Sequence, residues 1–191
     1  CCLVGSEMCI RDRYKGKFDY VMSSIIGLNG LEPTLDIIQT TKRIAIANKE
    51  SIICGWNLIK KNLNKYNTKF IPIDSEHFSI YELIKHEKSS SIKKIYITAS
   101  GGPFLKTSKS KLAKFIPQNA IKHPTWKMGK KISVDSSTLI NKIYELIEAK
   151  KIFNLGYEKF EIIIQPTSYV HAIVEFKSGI CKILSHPTSM K

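Results

Sequence analysis

The sequence predicts an α/β fold for its first part and an α+β arrangement for its second. Short apolar runs bounded by turn residues alternate with segments of helical period. Titratable and small polar residues gather where those apolar runs end, as they do at the ligand-binding edge of open α/β sheets. Of the 191 residues 43% are hydrophobic, enough for a core that covers roughly two-thirds of the unfolded surface. This composition excludes disorder, collagen and small disulfide scaffolds, and no apolar run reaches the roughly 18 residues of a membrane-spanning helix.

Residues 18–26 mix apolar and small side chains up to Gly27, and Glu32-Pro33-Thr34 opens a helix that carries Leu35, Ile37 and Ile38, proline being suited to a first turn. Residues 43–47 form a short buried strand ending in Asn48-Lys49-Glu50. From 51 to 64 the period is helical, with Ile52, Trp56, Ile59 and Leu63 on one face. A second strand, 70–73, ends in Asp74-Ser75-Glu76-His77; a helix at 79–86 and a polar turn at 87–91 follow. The strand at 92–98 runs into Ser100-Gly101-Gly102-Pro103-Phe104. After a lysine-rich irregular stretch, Asp135-Ser136-Ser137-Thr138 is expected to cap a helix carrying Leu139, Ile143, Leu146 and Ile147. Strands at 161–164 and 170–176 close the pattern, and there is no internal repeat.

The formal net charge of +14 suggests nucleic acid first. Yet only Arg11, Arg13 and Arg43 among the 30 cations are arginine, whereas base readout and phosphate forks favour arginine. A solvated lysine-rich exterior is the better reading. Residues 101–151 stand apart, with 11 Lys against Asp135, Glu145 and Glu148, a local +8. Cys1, Cys2 and Cys9 crowd the first nine residues, while Cys54 and Cys181 form no visible pair, so a reducing compartment is expected. Residues 1–13, CCLVGSEMCIRDR, contain no lysine and lack the apolar core of a signal peptide. They resemble a translated sequencing-adapter scar and are set aside as non-native.

Several groups are suited to chemistry. Asp74 and Glu76, two apart, point the same way in an extended segment, and paired carboxylates suit Mg²⁺ or Mn²⁺; the alternative is a solvated acidic turn. Asn141, Lys142 and Glu145 share a helix face at i, i+3 and i+4, a spacing that an ordinary surface Lys-Glu pair also has. Ser100-Gly101-Gly102 could wrap a phosphate or be a plain turn. His123-Pro124-Thr125-Trp126-Lys127-Met128-Gly129, in a long non-periodic stretch, suggests a lid. No histidine spacing fits zinc; His86 and His186 are expected at the surface, His77 and His171 in support of a site.

Taken in order, Ala47-Asn48-Lys49-Glu50-Ser51, Pro72-Ile73-Asp74-Ser75-Glu76-His77, Ser100-Gly101-Gly102-Pro103-Phe104, the 123–129 string, and Lys131 to Thr138 with Asn141-Lys142 resemble the 1-deoxy-D-xylulose 5-phosphate reductoisomerases. The resemblance extends from Tyr14 to Lys191 and includes Gln165-Pro166-Thr167-Ser168 and His171. It implies an enzyme of non-mevalonate isoprenoid biosynthesis that rearranges and reduces its substrate to 2-C-methyl-D-erythritol 4-phosphate with NADPH and a divalent cation.

On this resemblance, Asp74, Glu76 and Glu145 match the metal ligands. Ser100, His123, Ser136, Asn141 and Lys142 match the groups that hold the substrate phosphate, and Lys49 and Ser75 those at its hydroxyl and carbonyl end. Asn48, Glu50 and Gly129 match positions near NADPH, and Trp126 with Met128 matches the lid. The catalytic set is thus Lys49, Glu76 and Glu145. The implied organisation is the C-terminal part of a Rossmann-like NADPH-binding domain at 14–73, then an α+β catalytic domain at 74–191 with a lid at 100–130. The family's Gly-rich nucleotide fingerprint has no counterpart before Tyr14, and its C-terminal helical domain has none after Lys191. The expectation is an internal piece of an enzyme, inactive alone. The resemblance further implies a phosphorylated sugar as partner, no nucleic acid or membrane, a homodimer at full length, and a bacterial cytoplasm or plastid stroma.

Overall fold

The structure, a computed structural model, describes residues 16–112, 114–121 and 129–187. The expected scar at 1–13 and the lid residues His123, Trp126 and Met128 lie outside the described residues. The chain divides into two compact units: one holds the residues up to Phe78 together with Lys151–Asn154, the other Ser79–Lys150 and those from Leu155 onward.

In the first unit, β1 (Val21–Ser23), β2 (Arg43–Ile46) and β3 (Lys69–Pro72) form a parallel sheet in that order. Val21 lies opposite Ile44, and Ile44 opposite Phe70. Parallel strands need long crossovers, and α1 (Leu31–Ile38) and α2 (Lys49–Tyr66) supply them. Central parallel strands are covered on both faces, so the Ile-Ala-Ile end of β2 is buried throughout. The α2 helix begins two residues before its hydrophobic period because Asn48 caps it, accepting the Ser51 N–H at 2.9 Å. It ends at Asn67 in the left-handed region, φ 53°. As its period predicts, Ile52, Trp56, Ile59 and Leu63 turn inward, onto Val21, Ile37, Ile38, Ile44 and Ile46. Trp56 meets Phe70 edge to face at 5.2 Å between ring centres.

One helix starts earlier than expected. Ser75, Glu76 and His77, read from sequence as an extended tail to β3, open α3 (Ser75–Ile84). Asp74 stops the strand by capping that helix: its carbonyl accepts the Phe78 N–H at 2.8 Å and its carboxylate the Glu76 N–H at 3.3 Å.

The second unit is built on a mixed sheet in the order β5-β4-β6-β7. It comprises β4 (Ile92–Ala99), β5 (Phe160–Ile164) parallel to it, β6 (Val170–Phe176) antiparallel to it, and β7 (Cys181–Ser185) antiparallel to β6. One face carries Ile95, Ile97, Phe160, Ala172, Val174 and Phe176, all buried. The β7 strand was not anticipated, because an edge strand whose residues alternate only between exposed and half-buried needs no apolar run. On the opposite face Glu175 accepts from Lys93 at 2.6 Å and from the Tyr96 hydroxyl at 3.1 Å. The Lys93 hydrogen bond holds the Glu175 carboxyl below its ordinary range, and the bond to Glu175 raises both Lys93 and the Tyr96 phenol.

Between β4 and β5 lie α4 (Lys109–Leu112), α5 (Pro117–Ile121), α6 (Lys130–Ser137) and α7 (Ile140–Phe153). The expected cap at Asp135–Thr138 is wrong: residues 135–137 form the last turn of α6, and Leu139, at φ 61°, breaks the chain before α7 begins. The α7 helix also reverses the expected polarity. Lys142, Glu145, Glu148 and Ala149 are its buried residues, whereas Leu139 (39%), Ile140 (37%) and Ile143 (47%) are exposed.

Ile59 is fully enclosed, so Ile59→Ala should lower the unfolding free energy by about 2–5 kcal/mol in urea denaturation; a loss within about 0.5 kcal/mol would contradict this packing. In an NMR titration Glu175 should protonate below the ordinary carboxylate range, and Lys93→Ala should move it upward. Because the folded pKa is the lower one, this contribution to stability is present above the unfolded value and is lost as pH falls through the folded value.

Candidate functional site

In the first unit the candidate groups arise where the parallel strands end, because each crossover helix starts at that edge. After β2 the chain turns into α2, which puts Asn48 at the cap, Lys49 first and Glu50 second in the helix. After β3 it turns into α3, with Asp74 at the cap and Ser75, Glu76 and His77 in the first turn. The Lys49 ammonium donates to the Asp74 carboxylate, with the two side chains 18% and 24% exposed. Ser75 donates to Glu76 at 2.5 Å. The carboxylate oxygens of Asp74 and Glu76 approach within 4.8 Å, near enough to share one cation. The shared direction inferred from an extended segment is replaced by cap and first-turn positions, which bring the same two carboxylates together by another geometry. His77 is 1% exposed, its Nδ1 is 3.7 Å from Asp74 Oδ1, and its ring packs on Phe153. His77 is thus buried against the Asp74 end of this cluster.

In the second unit Ser100 follows β4 and accepts the Gly102 N–H at 3.4 Å. Gly102 is at φ 68°, and a Cβ there would come 2.7 Å from the Ser136 carbonyl oxygen. Glycine is therefore required both by backbone conformation and by the close approach of the α6 terminus. Two of the expected phosphate-binding residues, Ser100 and Ser136, are thus held on adjoining turns. Gly129 caps α6, its carbonyl accepting from the Ser133 N–H and hydroxyl at 3.0 and 3.1 Å.

On α7 the Glu145 carboxylate is 2% exposed and each oxygen has a donor. Asn141 donates to Oε1 at 2.5 Å and Lys142 to Oε2 at 2.6 Å. The ordinary surface pair weighed from sequence is instead a buried one, with Lys142 8% exposed. Sequence reasoning passed over Glu148, which is 2% exposed and one turn beyond Glu145. The spacing of 142, 145 and 148 at successive i+3 steps was the available signal. His171, 2% exposed, stacks on His186 with ring centres 3.6 Å apart. His186, expected at the surface, has its Nε2 atom buried, whereas His86 is exposed.

Two family profiles match the chain: 1-deoxy-D-xylulose 5-phosphate reductoisomerase over residues 2–55 and the C-terminal domain of that enzyme over residues 70–153. A 1-deoxy-D-xylulose 5-phosphate reductoisomerase of Pelagibacter ubique strain HTCC1062 is 60% identical over 174 residues, 91% of this chain and 45% of the relative. One of Clostridium novyi strain NT is 44% identical over 93% of this chain and 46% of its own length. A solved DOX-P reductoisomerase in complex with NADPH, fosmidomycin and magnesium superposes at a TM-score of 0.87, with 38% identity, over 99% of this chain and 49% of that one. The enzyme from Zymomonas mobilis in complex with NADPH superposes at 0.81, with 39% identity, over 90% of this chain and 44% of that one. The chain spans about half the length of the curated relatives it matches. Fold, motif order and both profiles agree, and the chain belongs to the 1-deoxy-D-xylulose 5-phosphate reductoisomerase family.

Proposed function

We propose that this chain supplies the metal- and phosphate-binding part of an enzyme that isomerises and reduces 1-deoxy-D-xylulose 5-phosphate to 2-C-methyl-D-erythritol 4-phosphate in isoprenoid biosynthesis. The observation that carries the reading is the inverted α7 helix, which buries Lys142 and Glu145 and exposes Ile140 and Ile143. Burying charge is costly unless the groups are paired or serve a ligand, and these are the residues that the family resemblance assigns to phosphate and metal. Residues 14–73 would then serve NADPH and 74–191 catalysis, with a lid within 100–130.

The donor set suits the cofactors. Asp74, Glu76 and Glu145 offer hard carboxylate oxygens, the preferred ligands of Mg²⁺ or Mn²⁺, and the first unit offers the carboxyl edge of a parallel sheet, where dinucleotides bind. When bound, the cation supplies Lewis-acid stabilisation of enolate-like charge and NADPH supplies hydride. The chain's own residues do the rest. Lys49 places an ammonium beside the substrate's hydroxyl and carbonyl oxygens, with Ser75 as a hydrogen-bonding neighbour, and Asp74 restrains that ammonium in the meantime. Ser100, His123, Ser136, Asn141 and Lys142 hold the phosphate, whose remoteness from the reacting carbons lets its binding energy close the Trp126 and Met128 lid. Asn48, Glu50 and Gly129 lie toward NADPH.

The partner is a phosphorylated sugar rather than a nucleic acid, in keeping with three arginines among 30 cations. We take the full-length assembly to be a homodimer. No helix among the described residues is long and apolar enough to cross a membrane, and the bacterial relatives favour a bacterial cytoplasm over a plastid stroma.

In the full-length protein, NADPH oxidation should require both 1-deoxy-D-xylulose 5-phosphate and Mg²⁺ or Mn²⁺; turnover unchanged by a chelator would sink the reading. Glu145→Gln should remove the metal-dependent rate by about a hundredfold or more. Lys142→Met should instead raise KM for the sugar phosphate more than it lowers kcat, and a variant with parental KM would refute the phosphate role. Gly102→Ala, which pushes a methyl group against the Ser136 carbonyl, should also raise KM, by about tenfold, while far-UV circular dichroism stays unchanged.

A further inference from the structure

The local +8 of residues 101–151 is unevenly placed. Lys142, Lys150 and Lys151 are balanced by Asp135, Glu145 and Glu148, so the whole excess falls on residues 101–134, which hold eight lysines and no carboxylate side chain. Lys106, Lys111 and Lys114 among them are exposed. Among the described residues no carboxylate pairs with any of the three. Unpaired like charges repel one another, so these lysines do nothing to hold the fold together.

The segment that carries them is folded back on the glycine turn after β4. Leu105 lies against Gly101, where a Cβ would come 2.8 Å from each of its δ carbons. The Phe104 and Phe115 rings meet at 4.7 Å between centres and close the chain between them. Tight turns fill that interval: the Thr107 N–H donates to the Phe104 carbonyl at 2.9 Å, that of Lys111 to Ser108 at 3.0 Å and that of Lys114 to Lys111 at 3.1 Å. Both ends of the lysine segment are thereby fixed beside the 100–102 turn, which approaches Ser136.

We propose that Lys106, Lys111 and Lys114 form an electrostatic capture surface for the phosphorylated sugar: they concentrate it at the glycine turn without contacting the seated phosphate or the reacting carbons. The proposal rests on the sugar-phosphate reading of this unit. A phosphate monoester carries a charge of about −1.5 to −2 at neutral pH, and a surface of one sign raises the local concentration of such a ligand. The attraction acts through water and is screened over about 10 Å at 0.1 M salt. Lysine, a hydrated point charge on a flexible stem, suits attraction without a fixed contact geometry.

The test uses the full-length protein, 1-deoxy-D-xylulose 5-phosphate as substrate, and potassium chloride to set ionic strength. Parental kcat/KM should fall as salt rises. Combining Lys106→Gln, Lys111→Gln and Lys114→Gln should lower kcat/KM about fivefold at ~10 mM ionic strength and less than about twofold at ~0.5 M, with kcat within about twofold of the parent. The same three positions changed to arginine should keep the parental kcat/KM and its salt dependence. Lys60→Gln, Lys61→Gln and Lys65→Gln, on the C-terminal half of α2, remove the same charge from a surface with no assigned ligand and should leave kcat/KM within about twofold. A loss that persists at high salt would mean a contact or structural role and overturn the proposal. So would equal losses in the two glutamine triples, which would reduce the effect to net charge, or a kcat/KM unchanged in the first triple; in each case the sugar-phosphate reading would stand. A parent that does not turn over 1-deoxy-D-xylulose 5-phosphate would overturn that reading and the capture surface with it.

Discussion

A carboxylate withdrawn from water must be met by donors, and this requirement at Glu145 governs how the second unit is put together. Both of its oxygens are met from within α7 itself, by Asn141 and Lys142. That solution is available only if all three side chains share a face, and it commits the face to the interior. The apolar residues Leu139, Ile140 and Ile143 are left outward. The turn before α7 follows: the chain must leave α6 and restart in a new direction, and it does so through Leu139 in the left-handed region. Ser136 at the end of α6 is thereby set against the glycine turn after β4, where only a residue without a side chain allows the approach.

The first unit concentrates its polar groups for a different reason. In a parallel sheet every crossover returns the chain to the same edge, so the starts of α2 and α3 collect there. Each start needs a cap for its exposed N–H groups, which accounts for Asn48 and Asp74 in structural terms before any chemistry is considered. Asp74 then does more than cap. It also restrains Lys49 and lies near His77, so that one carboxylate joins helix initiation to the electrostatics of the site.

How much of this could be read from sequence depended on whether burial and hydrophobicity agreed. Where they agree, as along α2, the positions of Ile52, Trp56, Ile59 and Leu63 were legible, and so were β2, β4 and β6. Where they disagree, along α7, a search for apolar stripes selected the wrong face and placed the helix start at Asp135. The β7 strand was missed because an edge strand with little burial has no pattern to find. At Asp74 and Glu76 the residues were found and the local structure was not, since a strand end and a helix cap use the same short polar residues. Glu148 escaped notice because a lone acidic residue on a helix ordinarily faces water.

By itself, the sequence determined the alternation of strands and helices, the identity of the family, and the residue types available for metal, phosphate and dinucleotide. Those are properties of local pattern and of motif order, which survive without coordinates. Only the tertiary structure decided which carboxylates are buried, which oxygens already have donors, and which amide groups are committed to backbone carbonyls. Desolvation and hydrogen-bond saturation depend on everything packed around a group, and no spacing along the chain records them. This is why Asn48 reads in the sequence as one more residue of a motif and in the fold as a helix cap whose amide also donates to the Ile25 and Gly27 carbonyls.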